Sequence, residues 1–140
     1  MKKIVFSFLI VLFSVPAFAQ HTQKDLIGKW EGTDRENEAG ALVFKDNGKV
    51  DFKLGVRGMH DLDYKIDLTK APAPFDIIIK TPDGKQQMTL KCLIQFTDNN
   101  TLKWQIFAGG NRPNNSDSKS LSNAIALNNA ITLILKRKKI

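Results

Sequence analysis

The chain has a single cysteine in 140 residues. One thiol cannot close an internal disulfide, so a small cysteine-stapled fold is excluded in any compartment. Histidine is nearly as scarce: His21 and His60 are the only two. They stand far apart, with no HxH, HExxH or Cys/His cluster, and a zinc site is not expected. Asp61, Asp63 and Asp67 alternate with apolar residues, which reads as a solvated strand face; a calcium loop would need a glycine turn among its ligands. Ser116, Ser118, Ser120 and Ser122 lack a nucleophile-elbow context, and no Lys-Ser/Thr helix follows Gly109-Gly110. No catalytic constellation is left, so the chain reads as a non-enzyme that needs no cofactor.

Charge of one sign is also missing from the body of the chain. Of 21 basic and 14 acidic residues, Lys2 and Lys3 sit at the extreme N-terminus and four more form Lys136-Arg137-Lys138-Lys139. The rest nearly balances. A nucleic-acid surface would show a basic stripe interleaved with aromatics, so no nucleic-acid partner is expected. The tail alone gives only weak, salt-sensitive attraction to anionic membranes, and stable membrane anchoring is not expected.

No apolar run reaches the roughly 20 residues of a helical membrane span. Ile4 to Val15 is the longest, with Lys2 and Lys3 before it, then Pro16 and Ala17-Phe18-Ala19. This is the pattern of a secretory signal peptide over residues 1–19, cleaved between Ala19 and Gln20. No cysteine follows the cleavage point, which excludes a lipid anchor there. The mature chain is expected to be secreted or periplasmic. Residues 20–140 are the size of one domain and can bury a core without staples.

Helical periodicity is scarce after the leader, and period two dominates. Gln20 to Asp25 reads as a lead-in or a turn of helix. Strands follow at Leu26 to Thr33, Ala41 to Lys45, Lys49 to Arg57, Asp61 to Leu68, Phe75 to Lys80, Gln86 to Phe96, from Leu102 to Ala108, and Ala130 to Lys138. Turns are expected at Asp46-Asn47-Gly48, Gly58-Met59-His60, Thr81-Pro82-Asp83-Gly84 and Asp98-Asn99-Asn100. Gly109 to Asn123 is a long polar loop, and Ala124 to Leu127 is either a short strand or a helical turn. Eight strands with tight turns and no crossover helix predict an all-β fold, an eight-stranded antiparallel up-and-down barrel, ahead of a β-sandwich. Gly28 serves a bend or a close backbone approach. Trp30 supplies the bulk to plug one end.

The order of short motifs resembles that of lipocalin-like (calycin-type) barrels, and of small secreted bacterial domains of that kind. The pieces are Gly28-Lys29-Trp30, Tyr64-Lys65-Ile66-Asp67, Pro74, Phe75-Asp76-Ile77, Leu102-Lys103-Trp104-Gln105 and Arg112-Pro113. The resemblance implies a basic side chain from the last strand over the tryptophan, Arg137 or Lys136. Phase with Leu133 and Leu135 favours Arg137. The chain is shorter than a typical lipocalin, and no helix follows the last strand.

Phe52, Tyr64, Met88 and Trp104 fall on inward phases. An eight-stranded barrel is either filled by its side chains or holds one small ligand. In the second case these four residues line the site, with the Tyr64 hydroxyl and Trp104 indole N–H as polar handles and Arg112 at the mouth for an anionic head group. Cys92 is in phase with Leu90 and Ile94 and reads as a small buried hydrophobe. The expected function is binding of a small hydrophobic or amphipathic ligand. The alternative is an interaction or inhibitor-type module with a filled barrel, acting through its loops or basic tail.

Overall fold

The alternation along the sequence closes into a wall. The computed structural model describes residues 20–107 and 130–139; the leader, Arg112 and the Gly109 to Asn129 stretch lie outside them. One helical turn, α1 (Gln23–Leu26), leads into β1 (Gly28–Thr33), β2 (Ala39–Phe44), β3 (Val50–Leu54), β4 (Arg57–Ile66), β5 (Ala73–Lys80), β6 (Gln87–Asp98), β7 (Thr101–Phe107) and β8 (Ala130–Lys138). Each strand pairs antiparallel with the next, and β8 returns to β1. The fold is therefore all-β, an eight-stranded up-and-down barrel in which closure removes the sheet's outer edges.

The tight turns have the chemistry they need. Gly48 and Gly84 hold φ of +78° and +70° in the β2–β3 and β5–β6 hairpins, a region glycine reaches without steric cost. One turn differs from the sequence reading. The chain reverses at Gly55-Val56, with Gly55 at φ +58°, and Gly58-Met59-His60 belongs to β4. Val56, within the span read as a strand from Lys49 to Arg57, is 99% exposed at the hairpin tip. The cause is a β-bulge: between Val50↔Leu62 and Phe52↔Met59, His60 and Asp61 together oppose Asp51, and Asp61 takes φ +55°. The extra residue lets Met59 and Leu62, three apart, share the inner face.

The inner faces fuse into one apolar cluster that includes Trp30, Leu42, Phe44, Phe75, Ile77, Cys92, Ile94, Leu102, Trp104 and Leu135. The outer face carries Lys29, Glu31, Asp51, Lys53, Asp63 and Lys65. Two glycines set the barrel's cross-section. A Cβ on Gly32 would sit 1.9 Å from the Ile134 carbonyl oxygen, and one on Gly40 would sit 2.3 Å from Leu133 Cδ2. Missing side chains on β1 and β2 thus let β8 close in, and Leu133 fills the space over Gly40.

Candidate functional site

The two ends of the barrel differ in packing. At the end reached by α1 the interior is capped by Trp30 and Arg137. Trp30 is fully buried and donates from Nε1 to the Leu26 carbonyl at 2.8 Å. The Arg137 guanidinium lies 4.2 Å from the centroid of the Trp30 ring. It also donates to the carbonyls of Asp25 (2.6 Å), Ile27 (3.2 Å) and Asn99 (3.2 Å). One cation thereby caps an aromatic face and ties α1, β8 and the β6–β7 turn together. Gly28, at φ +128°, lies beneath it: a Cβ there would be 3.7 Å from Arg137 Nη1. Phe96 meets Trp30 edge-on at 5.9 Å and stacks on His21 at 3.8 Å.

At the opposite end the inward side chains are less completely buried among the described residues. Phe52, Leu54, Leu62, Tyr64, Ile79, Leu90 and Ile131 pack against the core cluster yet are only partly buried. The β4–β5 ladder stops at Asp63↔Ile78. Above it the β3–β4 and β5–β6 hairpins run on separately, with Met59 36% and Met88 59% exposed. The apolar residues of that end are thus partly exposed, and the wall has a notch between β4 and β5.

The residues singled out from sequence fall at different depths. Phe52 is half-buried, edge-on to Trp104 at 6.5 Å. Tyr64 is half-buried between Phe44 and Phe75, with centroids 5.4 and 5.7 Å away. Burial pushes its phenol pKa up, so the hydroxyl stays a neutral donor. Trp104 lies below, fully buried, and its Nε1 has no acceptor among the described residues. Met88 keeps the phase of Leu90 and Cys92 but stands out on the projecting hairpin. Arg112 lies outside the described residues. Sequence reasoning missed Arg57 and Met59. The two-residue turn pairs Arg57 with Leu54 and Met59 with Phe52, which puts both on the inner face at the rim. The signal was Gly55, the glycine that makes a turn before Arg57 possible.

Outside the wall, the acidic residues of β3 and β4 are paired with cations. Lys45 bridges Asp51 (3.1 Å) and Asp61 (2.6 Å), His60 meets Asp51 at 3.1 Å, and Asp63 takes Lys49 and Lys80. Asp67 is bonded by the backbone and hydroxyl of Thr69. No cluster of three or more metal-ligating side chains occurs among the described residues. A separate open groove of about 570 Å³ runs over Gly32, Ala39 and Ala41, flanked by Lys53, Lys136 and Lys138.

Comparison with family models, with curated proteins and with solved structures found no match to this chain.

Proposed function

We propose that this chain is a secreted or periplasmic, non-enzymatic, lipocalin-like barrel that holds a small hydrophobic or amphipathic ligand at its less buried end. The observation that carries this reading is the contrast between the ends. At the base Trp30, Leu42, Leu102 and Leu135 are 0% exposed, with Ile66, Leu68 and Phe96 partly buried at its margin, whereas at the other end inward-facing Phe52, Leu54, Leu62, Tyr64, Ile79 and Leu90 are all only partly buried. Apolar side chains that face inward without being covered leave burial energy, about 25 cal/mol per Å², to be gained from a guest. A concave apolar site with one or two polar handles is the usual form of a small-molecule site. Native mass spectrometry of protein purified from its own source is the test. A co-purified small molecule supports the reading; a bare polypeptide that also fails to bind any apolar probe refutes it.

A second reading, an interaction module, is favoured by the outer groove. Its small-residue floor and lysine flanks suit an extended acidic segment of a partner. It predicts binding that Lys53→Glu and Lys138→Glu abolish and that leaves the barrel interior empty.

A further inference from the structure

We infer that the mature chain begins with a pyroglutamate formed from Gln20, and that this neutral lactam packs in the groove between the β4–β5 connection and β6. The inference rests on the secretion reading above, in which cleavage after Ala19 frees the Gln20 α-amine. The chemistry needs nothing beyond that amine. Its nitrogen attacks the side-chain amide carbon of the same residue. A C–N bond forms and closes a lactam ring. The bond from that carbon to the side-chain nitrogen breaks, and ammonia leaves with the proton given up by the amine. No oxidant or reductant takes part, and the terminus loses its positive charge.

The surroundings of Gln20 favour the lactam over a charged terminus. The residues that follow it are tied down. Thr22 N–H donates to Asp25 Oδ2 at 2.7 Å, and the His21 ring stacks on Phe96 at 3.8 Å. Gln20 thereby lies at a groove of about 390 Å³, lined also by Leu68, Ala71, Ile94 and Phe96. The charged residue of that lining is Lys70, and the lining holds no carboxylate. The carboxylates nearest in sequence to these residues are already engaged: Asp25 with Thr22 and His21, Asp67 with Thr69. A protonated amine there meets a like charge and no acid partner, whereas a lactam brings an apolar ring edge to apolar side chains, with Thr69 and Gln95 beside it for its amide. The position also matters for the fold. A few residues on, the Asp25 and Ile27 carbonyls accept from Arg137, and the Leu26 carbonyl accepts from Trp30. An end with no free amine is closed to aminopeptidases, which would otherwise trim toward these caps.

The experiment is mass spectrometry of the intact protein and of its N-terminal peptide, on material expressed with its leader in its own source. The peptide is expected to start at residue 20 and to weigh one ammonia less than the uncyclised sequence. Q20S, produced in the same cells, cannot cyclise and keeps a free amine. It should melt about 2–4 °C below the parent and lose residues to added leucine aminopeptidase, which the parent resists. Gln20 is exposed, and an unchanged far-UV spectrum will show that Q20S folds. A peptide that starts at Gln20 with a free amine overturns the inference and leaves the secretion reading standing. A start at another residue, or a retained leader, overturns both. A cyclised parent that melts no higher than Q20S overturns the packing of the lactam in the groove.

Discussion

The two tryptophans allow a sharp comparison of what a buried indole contributes. Both are fully buried. Trp30 Nε1 donates to the Leu26 carbonyl, and its face is capped by Arg137. Trp104 Nε1 has no acceptor among the described residues. Trp30→Phe keeps a ring but removes a hydrogen bond with a net value of about 1 kcal/mol and orphans a buried carbonyl, a further 1–3 kcal/mol. It also weakens a cation–π contact of about 0.5–1 kcal/mol, since indole is the best partner. With the apolar area lost from a fully buried indole, about 1–2 kcal/mol, the expected loss is roughly 3–6 kcal/mol. Trp104→Phe loses apolar area, about 1–2 kcal/mol, but removes an unsatisfied donor whose desolvation costs a similar amount. Its net effect should lie within about 1 kcal/mol of zero. Urea unfolding followed by far-UV circular dichroism will measure both, and each kcal/mol should move the melting temperature by about 3–6 °C at this size. If the two variants lose equal stability, or Trp104→Phe loses more, the argument from hydrogen-bond satisfaction is wrong.

Acid should weaken the fold through its outer carboxylates. Asp63 is held below the ordinary aspartate value of 3.8, first by its hydrogen bond from Lys49. In Asp51 burial pushes the pKa up, but the Asp61 backbone N–H, His60 and Lys45 together outweigh it and leave the pKa lowered. A depressed folded pKa means that the unfolded chain binds more protons, so stability is complete above the unfolded value and falls as pH drops through the folded one. Urea midpoints should therefore be flat above about pH 5 and decline below pH 4, with a shallower decline in D63N; an unchanged slope would count against the pairing. Gly32→Ala should cost more than Gly40→Ala, because the first Cβ meets a β8 carbonyl and the second only a leucine methyl. Overpacking of the latter kind costs about 1–3 kcal/mol, and a Gly40→Ala/Leu133→Ala double variant should show favourable coupling by denaturant melts. Cys92, 0% exposed, should react with a thiol reagent only at the rate of unfolding; fast native labelling would place it outside the core.

Period two carried most of the architecture. Leu62, Tyr64 and Ile66 on β4, and Leu133 and Leu135 on β8, sit on the inner face that their alternation assigns. The same phase leads from Leu135 to Arg137 and so over Trp30, whose register partner it is. Phase fails where a bulge intervenes. Asp61 takes a positive φ although it is not glycine, and nothing local marks it as the residue that shifts β4 by one. The turn was consequently read at Gly58 rather than Gly55, and Arg57 and Met59 were assigned to no face. Exposure along a correct phase was equally hidden. Met88 alternates properly with Leu90 and Cys92, but its 59% exposure depends on how far β4 and β7 extend beside the β5–β6 hairpin. That is a property of neighbours, and the residue's own strand does not encode it. The orphaned Trp104 N–H is of the same kind, since hydrogen-bond satisfaction is settled by whatever surrounds the indole.

The contrast between the two ends also bears on where this small barrel draws its stability. An inward side chain left half-exposed forfeits part of the roughly 1.5–3 kcal/mol that full burial would give, and the less buried end holds several. Against this, the base concentrates both its polar caps and its largest ring. Arg137 joins α1, β8 and the β6–β7 turn through three carbonyls, and Trp30 spans from β1 to Leu26. Ladders β5–β6, β6–β7 and β7–β8 are long and run into that end. The bulged β3–β4 ladder and the short β4–β5 ladder border the notch. Stability drawn from one end frees the other to keep uncovered apolar surface. Under the ligand-binding reading proposed above, a guest that covered it would add free energy by mass action, about 2.7 kcal/mol at a hundredfold excess over its Kd. That gain would require no rearrangement of the capped base, because Phe52, Leu54, Tyr64 and Leu90 lie away from the Trp30 and Arg137 contacts.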